Sequence, residues 1–235
     1  MEIIGNNTAL IESWQKFIEL NGADTKTIKK IDFTNDIPVI YDYEGRKFSI
    51  DFKNDRRNYD KKKGSIKTEL ISKALGSGKQ GLNILDLSAG LGIDAVFLSQ
   101  LGYTVTALER NPIIFLSLKT AHEQLSTLEK TRLNFIYSSA QDFLKNTELN
   151  FDCIYFDPMF PDKKKTALPR QEMIFFRNLV GSDLDSAEVI QHALTFTSIP
   201  KIVVKRPLKA PVLLAKPRSS ISGKLIRFDV YGRPA

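Results

Sequence analysis

Three short apolar runs in this sequence each end on an acid. Asn83-Ile84-Leu85 leads into Asp86, Val105-Thr106-Ala107-Leu108 into Glu109, and Cys153-Ile154-Tyr155-Phe156 into Asp157. A glycine turn follows the first, Asp86-Leu87-Ser88-Ala89-Gly90-Leu91-Gly92, with Ile93 and Asp94 opening the next segment. Glycines let a backbone turn sharply and let a ligand approach it closely. An acid ending the next strand, here Glu109, accepts both hydroxyls of a ribose. A bound nucleoside cofactor is the expectation. Gly90-Leu91-Gly92-Ile93-Asp94-Ala95 fits the loose G-x-G-x-x-G/A pattern of NAD proteins, and a structural turn would use the same glycines. The extra acids favour another ligand. Asp86 stands at the mouth of the loop, where a dinucleotide puts its pyrophosphate, and Asp94 adds to the negative charge. S-adenosylmethionine (SAM) has no phosphate, and its sulfonium and α-ammonium both favour nearby carboxylates.

The glycine turn resembles motif I of class I SAM-dependent methyltransferases, acid-x-G-x-G-x-G, with Ser88 at the first glycine position. That resemblance implies cofactor contacts from Asp86, Ser88, Gly90, Gly92, Ile93 and Asp94. It puts Glu109 on the ribose, Arg110 beside the adenine, and Ser139 and Ala140 along the adenine's edge. An N-capped helix start accounts equally well for Ser138 to Asp142. The run Asp157-Pro158-Met159-Phe160 resembles the (Asp/Asn)-Pro-Pro-(Tyr/Phe) motif of amino methyltransferases, with Met159 at the second proline. An exocyclic amine is a poor nucleophile because its lone pair is delocalised into the ring. Two acceptors aimed at its N–H bonds, the Asp157 carboxylate and the Pro158 carbonyl, favour a more pyramidal nitrogen. Proline holds the turn by fixing φ. Phe160 can stack on the base, a contact worth roughly 1–3 kcal/mol. Asp157 would also face the cofactor.

Longer strings carry a closer likeness. Tyr155-Phe156-Asp157-Pro158-Met159-Phe160-Pro161 with Lys163-Lys164-Lys165, Leu108-Glu109-Arg110-Asn111-Pro112, Asp183-Leu184-Asp185, Val203-Val204-Lys205-Arg206-Pro207 and Arg227-Phe228-Asp229-Val230-Tyr231 resemble the ribosomal small subunit methyltransferase J family. The resemblance spans roughly residues 53–231. It implies methylation of a guanine N2 in 16S rRNA, with the small ribosomal subunit or its rRNA as partner. Ile93 stands where a basic residue is expected in this family. Other amino targets, an adenine N6 or a protein amide, share the chemistry. A NAD-dependent oxidoreductase and a noncatalytic RNA-binding module are the readings from other classes.

These residues need an α/β scaffold to bring them together. From Ser65 onward apolar runs of strand length alternate with helical segments, which predicts a mostly parallel sheet covered on both faces, the Rossmann-like architecture. Helices are expected over 68–75, 94–101, 112–128 and 185–196, and strands over 83–87, 103–108, 133–137, 151–156, 201–205 and 225–231. Residues 1–36 carry a patchy helical stripe. Residues 37–52 read as a β-hairpin turning at Glu44-Gly45-Arg46. A small N-terminal lobe over 1–60 and a methyltransferase domain over 61–235 follow.

The chain has 235 residues, 34 Lys+Arg against 27 Asp+Glu, a formal charge of +7, one Cys and two His. One cysteine and two distant histidines offer no local metal signature, and no metal is expected. With no signal-like N-terminus and no apolar run of membrane length, a cytoplasmic protein off the membrane is expected. The basic residues cluster in three places: Arg56 and Arg57 within 53–67, Lys163-Lys164-Lys165 after the Asp157 loop, and Lys201 to Arg227, including Lys205 and Arg206. Beside a base-handling loop, such residues suit RNA phosphates.

Overall fold

Buried, uncharged strand segments fix the frame of this molecule. The computed structural model describes residues 1–53, 70–76, 81–145, 150–159, 171–181, 185–196, 198–214 and 216–232. The chain begins β1 (Glu2–Gly5), α1 (Thr8–Leu20), β2 (Ile28–Phe33), β3 (Val39–Asp42) and β4 (Lys47–Phe48). It continues α2 (Leu70–Gly76), β5 (Asn83–Asp86), α3 (Ile93–Gln100), β6 (Thr104–Glu109), α4 (Pro112–His122), α5 (Thr127–Arg132), β7 (Leu133–Tyr137) and α6 (Ala140–Phe143). Then come β8 (Cys153–Phe156), α7 (Gln171–Val180), α8 (Ser186–Phe196), β9 (Lys201–Pro207), β10 (Ser219–Ser222) and β11 (Ile226–Gly232). These sort into two compact units. One joins Met1–Asp55 with Asn111–Leu125 and Met159–Asp183, and the other holds Arg56–Arg110, Ser126–Pro158 and Leu184–Ala235. The expected boundary near residue 60 lies outside the described residues.

The first unit carries a four-stranded sheet in the order β1-β2-β3-β4, with β1 parallel to β2 and the remaining pairs antiparallel. Asn7 caps α1 by accepting from the Leu10 N–H at 3.1 Å. Trp14, 1% exposed, meets the Phe33 ring edge-on at 5.0 Å. Phe17 of α1 stacks on Phe115 of α4, and Phe48 of β4 meets Phe175 and Phe176 of α7. The hairpin turn is organised by Asp42. Its carboxylate accepts from the backbone of Glu44 and Arg46 at 2.9 and 2.8 Å and from Arg46 Nε at 2.6 Å.

The second unit holds a seven-stranded sheet in the order β10-β11-β9-β8-β5-β6-β7. From β7 to β9 every neighbouring pair is parallel, and β11 and β10 close one edge antiparallel. Strands β8 and the centre of β9 are buried on both faces, as uncharged runs allow. Leu85, Leu108, Ile154, Phe156, Ile202 and Val204 of the sheet pack with Val189, Ile190 and Ala193 of α8. Strand order reverses between β5 and β8, because β5, β6 and β7 run outward to one side and β8 and β9 to the other. Ligands of open α/β sheets bind beyond the carboxyl ends of the strands at such a reversal.

Some elements depart from expectation. The helix expected over 112–128 ends at His122, because Ser126 starts α5 with a capping box: its hydroxyl accepts from the Glu129 N–H while the Glu129 carboxylate accepts from the Ser126 N–H. Strands β1, β2 and β10 and helix α7 are additional. No helix among the described residues is long and apolar enough to cross a membrane.

Candidate active site

Asp86 ends β5, and its strand partners are Ala107 on β6 and Tyr155 on β8. Glu109 ends β6, and Asp157 follows the last residue of β8. The three acids therefore share one edge across three adjacent parallel strands, at the reversal of strand order. Between them the glycine turn folds back on the sheet. Leu87 N–H donates to the Tyr155 carbonyl at 3.0 Å and Ala89 N–H to the Leu108 carbonyl at 2.8 Å. Gly90 and Gly92 have φ of 53° and 74°, the left-handed region where a Cβ is penalised. Gly92 caps α3, whose first residues are Ile93, 37% exposed, and Asp94. Gly90 N–H donates to Glu109 Oε2 at 3.0 Å, so the acid that ends β6 is tied to the turn.

Ser88 joins the two halves of the site. Its N–H and hydroxyl donate to Asp86 Oδ1 at 2.9 and 3.3 Å, and its hydroxyl accepts from the Asp157 N–H at 2.8 Å. A glycine at this position could bond Asp86 through its backbone but could not reach Asp157. The departure from the glycine pattern thus supplies a link between the turn and the segment after β8.

A lysine completes the cluster. Lys205 Nζ, on β9, donates to Asp94 Oδ2 at 2.7 Å and to Asp157 Oδ2 at 2.8 Å. Tyr155 donates its hydroxyl to the same Asp94 oxygen at 2.6 Å. Burial would lower the Lys205 ammonium, but Asp157 and Asp94 outweigh it and hold the pKa above the ordinary lysine value. Burial raises the Tyr155 hydroxyl, with Asp94, Asp157 and Asp86 adding to the rise. Asp86 is 1% exposed, and burial pushes its carboxyl up to about 7; the Ser88 N–H opposes this, and the charges of Asp94 and Asp157 reinforce it. A buried acid surrounded by like charge favours a cation beside it. The edge fits a cationic nucleoside without phosphates, and it would repel a pyrophosphate.

Other expected site residues fall as follows. Ser139 caps α6, accepting from the Asp142 N–H at 3.0 Å, and Ala140 is the first residue of that helix. Arg110 pairs with Asp185 at 3.5 Å, and the same Asp185 oxygen accepts from Gln141 Nε2 at 2.9 Å. Pro158 is buried directly after Asp157. Phe160, Lys163, Lys164, Lys165, Arg56 and Arg57 lie outside the described residues. Two basic residues expected on RNA are engaged within the fold instead. The Lys205 ammonium is held between two carboxylates, and Arg206 is 3% exposed with its guanidinium on the Pro211 carbonyl. Neither offers a free cation to a phosphate. The rule that selected Asp86 and Asp157, a polar residue at the carboxyl end of a parallel strand, would have placed Lys205 in the site as well.

Comparison with known proteins bears on these observations. The family described as "Putative SAM-dependent methyltransferase" matches residues 30–233. The chain is 45% identical over 194 residues to ribosomal RNA small subunit methyltransferase J of Bdellovibrio bacteriovorus, covering 82% of this chain and 77% of that protein. It is 39% identical over 190 residues to the protein of the same name from Desulfotalea psychrophila, covering 77% and 72%. The crystal structure of a SAM-dependent methyltransferase from Neisseria gonorrhoeae superposes with a TM-score of 0.72 at 25% identity, covering 99% of this chain and 96% of that one.

Proposed function

This chain belongs to the family of SAM-dependent methyltransferases that includes the ribosomal RNA small subunit methyltransferases J, and we propose on that premise that it methylates the exocyclic N2 of a guanine in small-subunit rRNA. The observation that carries the reading is the position of Asp157, one strand across from the Asp86 turn and bonded to it through Ser88. SAM, when bound, supplies an electrophilic methyl group on a sulfonium.

The chain's own groups do the rest. Asp86 and Asp94 are the acids suited to the cationic end of the cofactor, and Glu109 is suited to its ribose. Ser88, Gly90, Gly92 and Ile93 shape the turn around it, while Arg110, Ser139 and Ala140 flank the adenine side. The Asp157 carboxylate and the Pro158 carbonyl accept from the two N–H bonds of the target amine and orient its lone pair. Orientation of this kind supplies much of a methyl transfer's acceleration. The nitrogen becomes acidic once methylated, so a strong general base is not required. Phe160 is assigned to stacking on the base, and Arg56, Arg57 and Lys163 to Lys165 to its phosphates.

The test is transfer of labelled methyl from SAM to small subunits, or their rRNA, from a strain lacking the mark. Nuclease mapping with mass spectrometry should place the label on a guanine N2. Asp157→Ala should lose transfer by about 10²-fold or more while still binding SAM. Full activity in that variant would remove Asp157 from the mechanism. Label on an adenine or on protein would move the substrate class.

A further inference from the structure

Among the described residues, the acids at the strand edge share an ammonium that comes from the last parallel strand. Lys205 bridges Asp94, in the first turn of the helix after the glycine turn, and Asp157, which faces the target amine in the function proposed above. We propose that Lys205 is a positioning residue for methyl transfer: it aims the Asp157 carboxylate and keeps it a charged acceptor, and through Asp94 it couples that aim to the cofactor turn. This inference rests on the proposed role of Asp157.

Three observations support it. Both bonds are short and come from one atom, so the ammonium fixes the separation of the two carboxylates. The Lys205 side chain is 24% exposed and that of Asp157 36%, so the pair is half-buried and is screened less than a surface pair. Asp94 Oδ2 is further held by the Tyr155 hydroxyl, which gives the lysine a fixed anchor on one side. An RNA contact, by contrast, needs an ammonium that can leave its partners.

The charge balance gives a distinctive expectation. SAM brings positive charge to the same acids, so Lys205 competes with the cofactor for them. Lys205→Met should therefore bind SAM at least as tightly as the wild type, while kcat falls by about 10²-fold from misaim of the acceptor. KM for the small subunit should stay unchanged. Lys205→Arg, which restores the charge with altered geometry, should recover part of kcat. Among the described residues, the groups facing Lys205 are Asp94 on α3, Tyr155 of β8 and Asp157 just after it, with Asp86 of β5 beyond them. Loss of the ammonium disfavours the charged carboxylates, so the acid limb of the kcat profile should move to higher pH in Lys205→Met.

An outcome in which KM for the subunit rises with kcat unchanged would overturn the proposal in favour of an RNA contact. Loss of kcat, SAM affinity and melting temperature together, unrelieved by arginine, would also overturn it by reducing Lys205 to a structural prop. NMR titration of the Asp157 side-chain carbon in full-length wild type and Lys205→Met separates this claim from the substrate assignment. Its midpoint should rise in the variant even if rRNA is not methylated, and an unmoved midpoint would sink the electrostatic half of the claim.

Discussion

At the scale of single residues, Asp86 sets two properties against each other. Its carboxyl is raised from 3.8 to about 7, chiefly by burial. Between those values the folded chain holds a proton that the unfolded chain has lost, so stability falls as pH rises through the window and levels off above about 7. Asp86→Asn should remove this decline, and urea unfolding across the window should show the variant gaining on the wild type as pH rises. Cofactor binding should run the other way. A cation beside Asp86 favours its ionised form, so SAM affinity should climb with pH toward a plateau above about 7. Calorimetry on Asp86→Asn should find weaker binding with that climb removed. Ser88 shows why a departure from a motif can be informative. Its hydroxyl ties Asp86 to the Asp157 backbone, a bond that a glycine would forfeit.

Two turns dominate at the scale of elements. Gly92 caps α3 with φ of 74°, where an alanine costs roughly 1–2 kcal/mol. Gly92→Ala should lower the midpoint of chemical unfolding accordingly and weaken SAM binding by shifting Asp94. In the N-terminal hairpin, burial would raise the Asp42 carboxyl, but bonds from Arg46 and Glu44 outweigh it and hold it below 3.8. That stability is present above 3.8 and is lost as pH falls through the lowered value. Asp42→Ala should cost about 1–3 kcal/mol at neutral pH, with the gap to wild type closing in acid, as unfolding curves at several pH values would report. The hairpin and the central strands were legible because their apolar residues alternate or run unbroken. Strand β10 was not, because Ser219-Ser220-Ile221-Ser222 has no apolar face; it forms by pairing one edge with β11. Helices α4 and α5 merged in the sequence because Leu125 and Leu128 continue the stripe of α4, and only the Ser126–Glu129 capping box separates them. Most acids of the site were legible from strand ends. Lys205 ends the expected strand 201–205 and so meets the same rule, but a lysine within a basic run reads as surface until strand pairing puts it between two carboxylates.

For the whole molecule, the formal charge of +7 overstates what an RNA can meet. In the Lys201–Arg227 group, Lys205 and Arg206 are engaged internally, and Arg227 is bonded to the buried Asp229 and to the Pro207 and Leu208 carbonyls. Lys209, Lys216, Arg218 and Lys224 are the exposed members. Lys209→Glu with Lys216→Glu should weaken rRNA binding uniformly across sequences. The slope of log affinity against log salt should shrink by roughly 0.7 for each phosphate no longer neutralised, as filter binding over a salt series would measure. Charge reversal at these positions without effect would place the RNA on another face. The order of the sheet also has a consequence in time. Asp86, Asp94 and Asp157 are synthesised well before Lys205, and at roughly 5–20 residues per second the ribosome leaves them for seconds without the ammonium that bridges two of them. A nascent chain therefore carries these acids without their Lys205 counterion until its last parallel strand emerges, and the aim of Asp157 on the target amine becomes a late marker of a finished sheet.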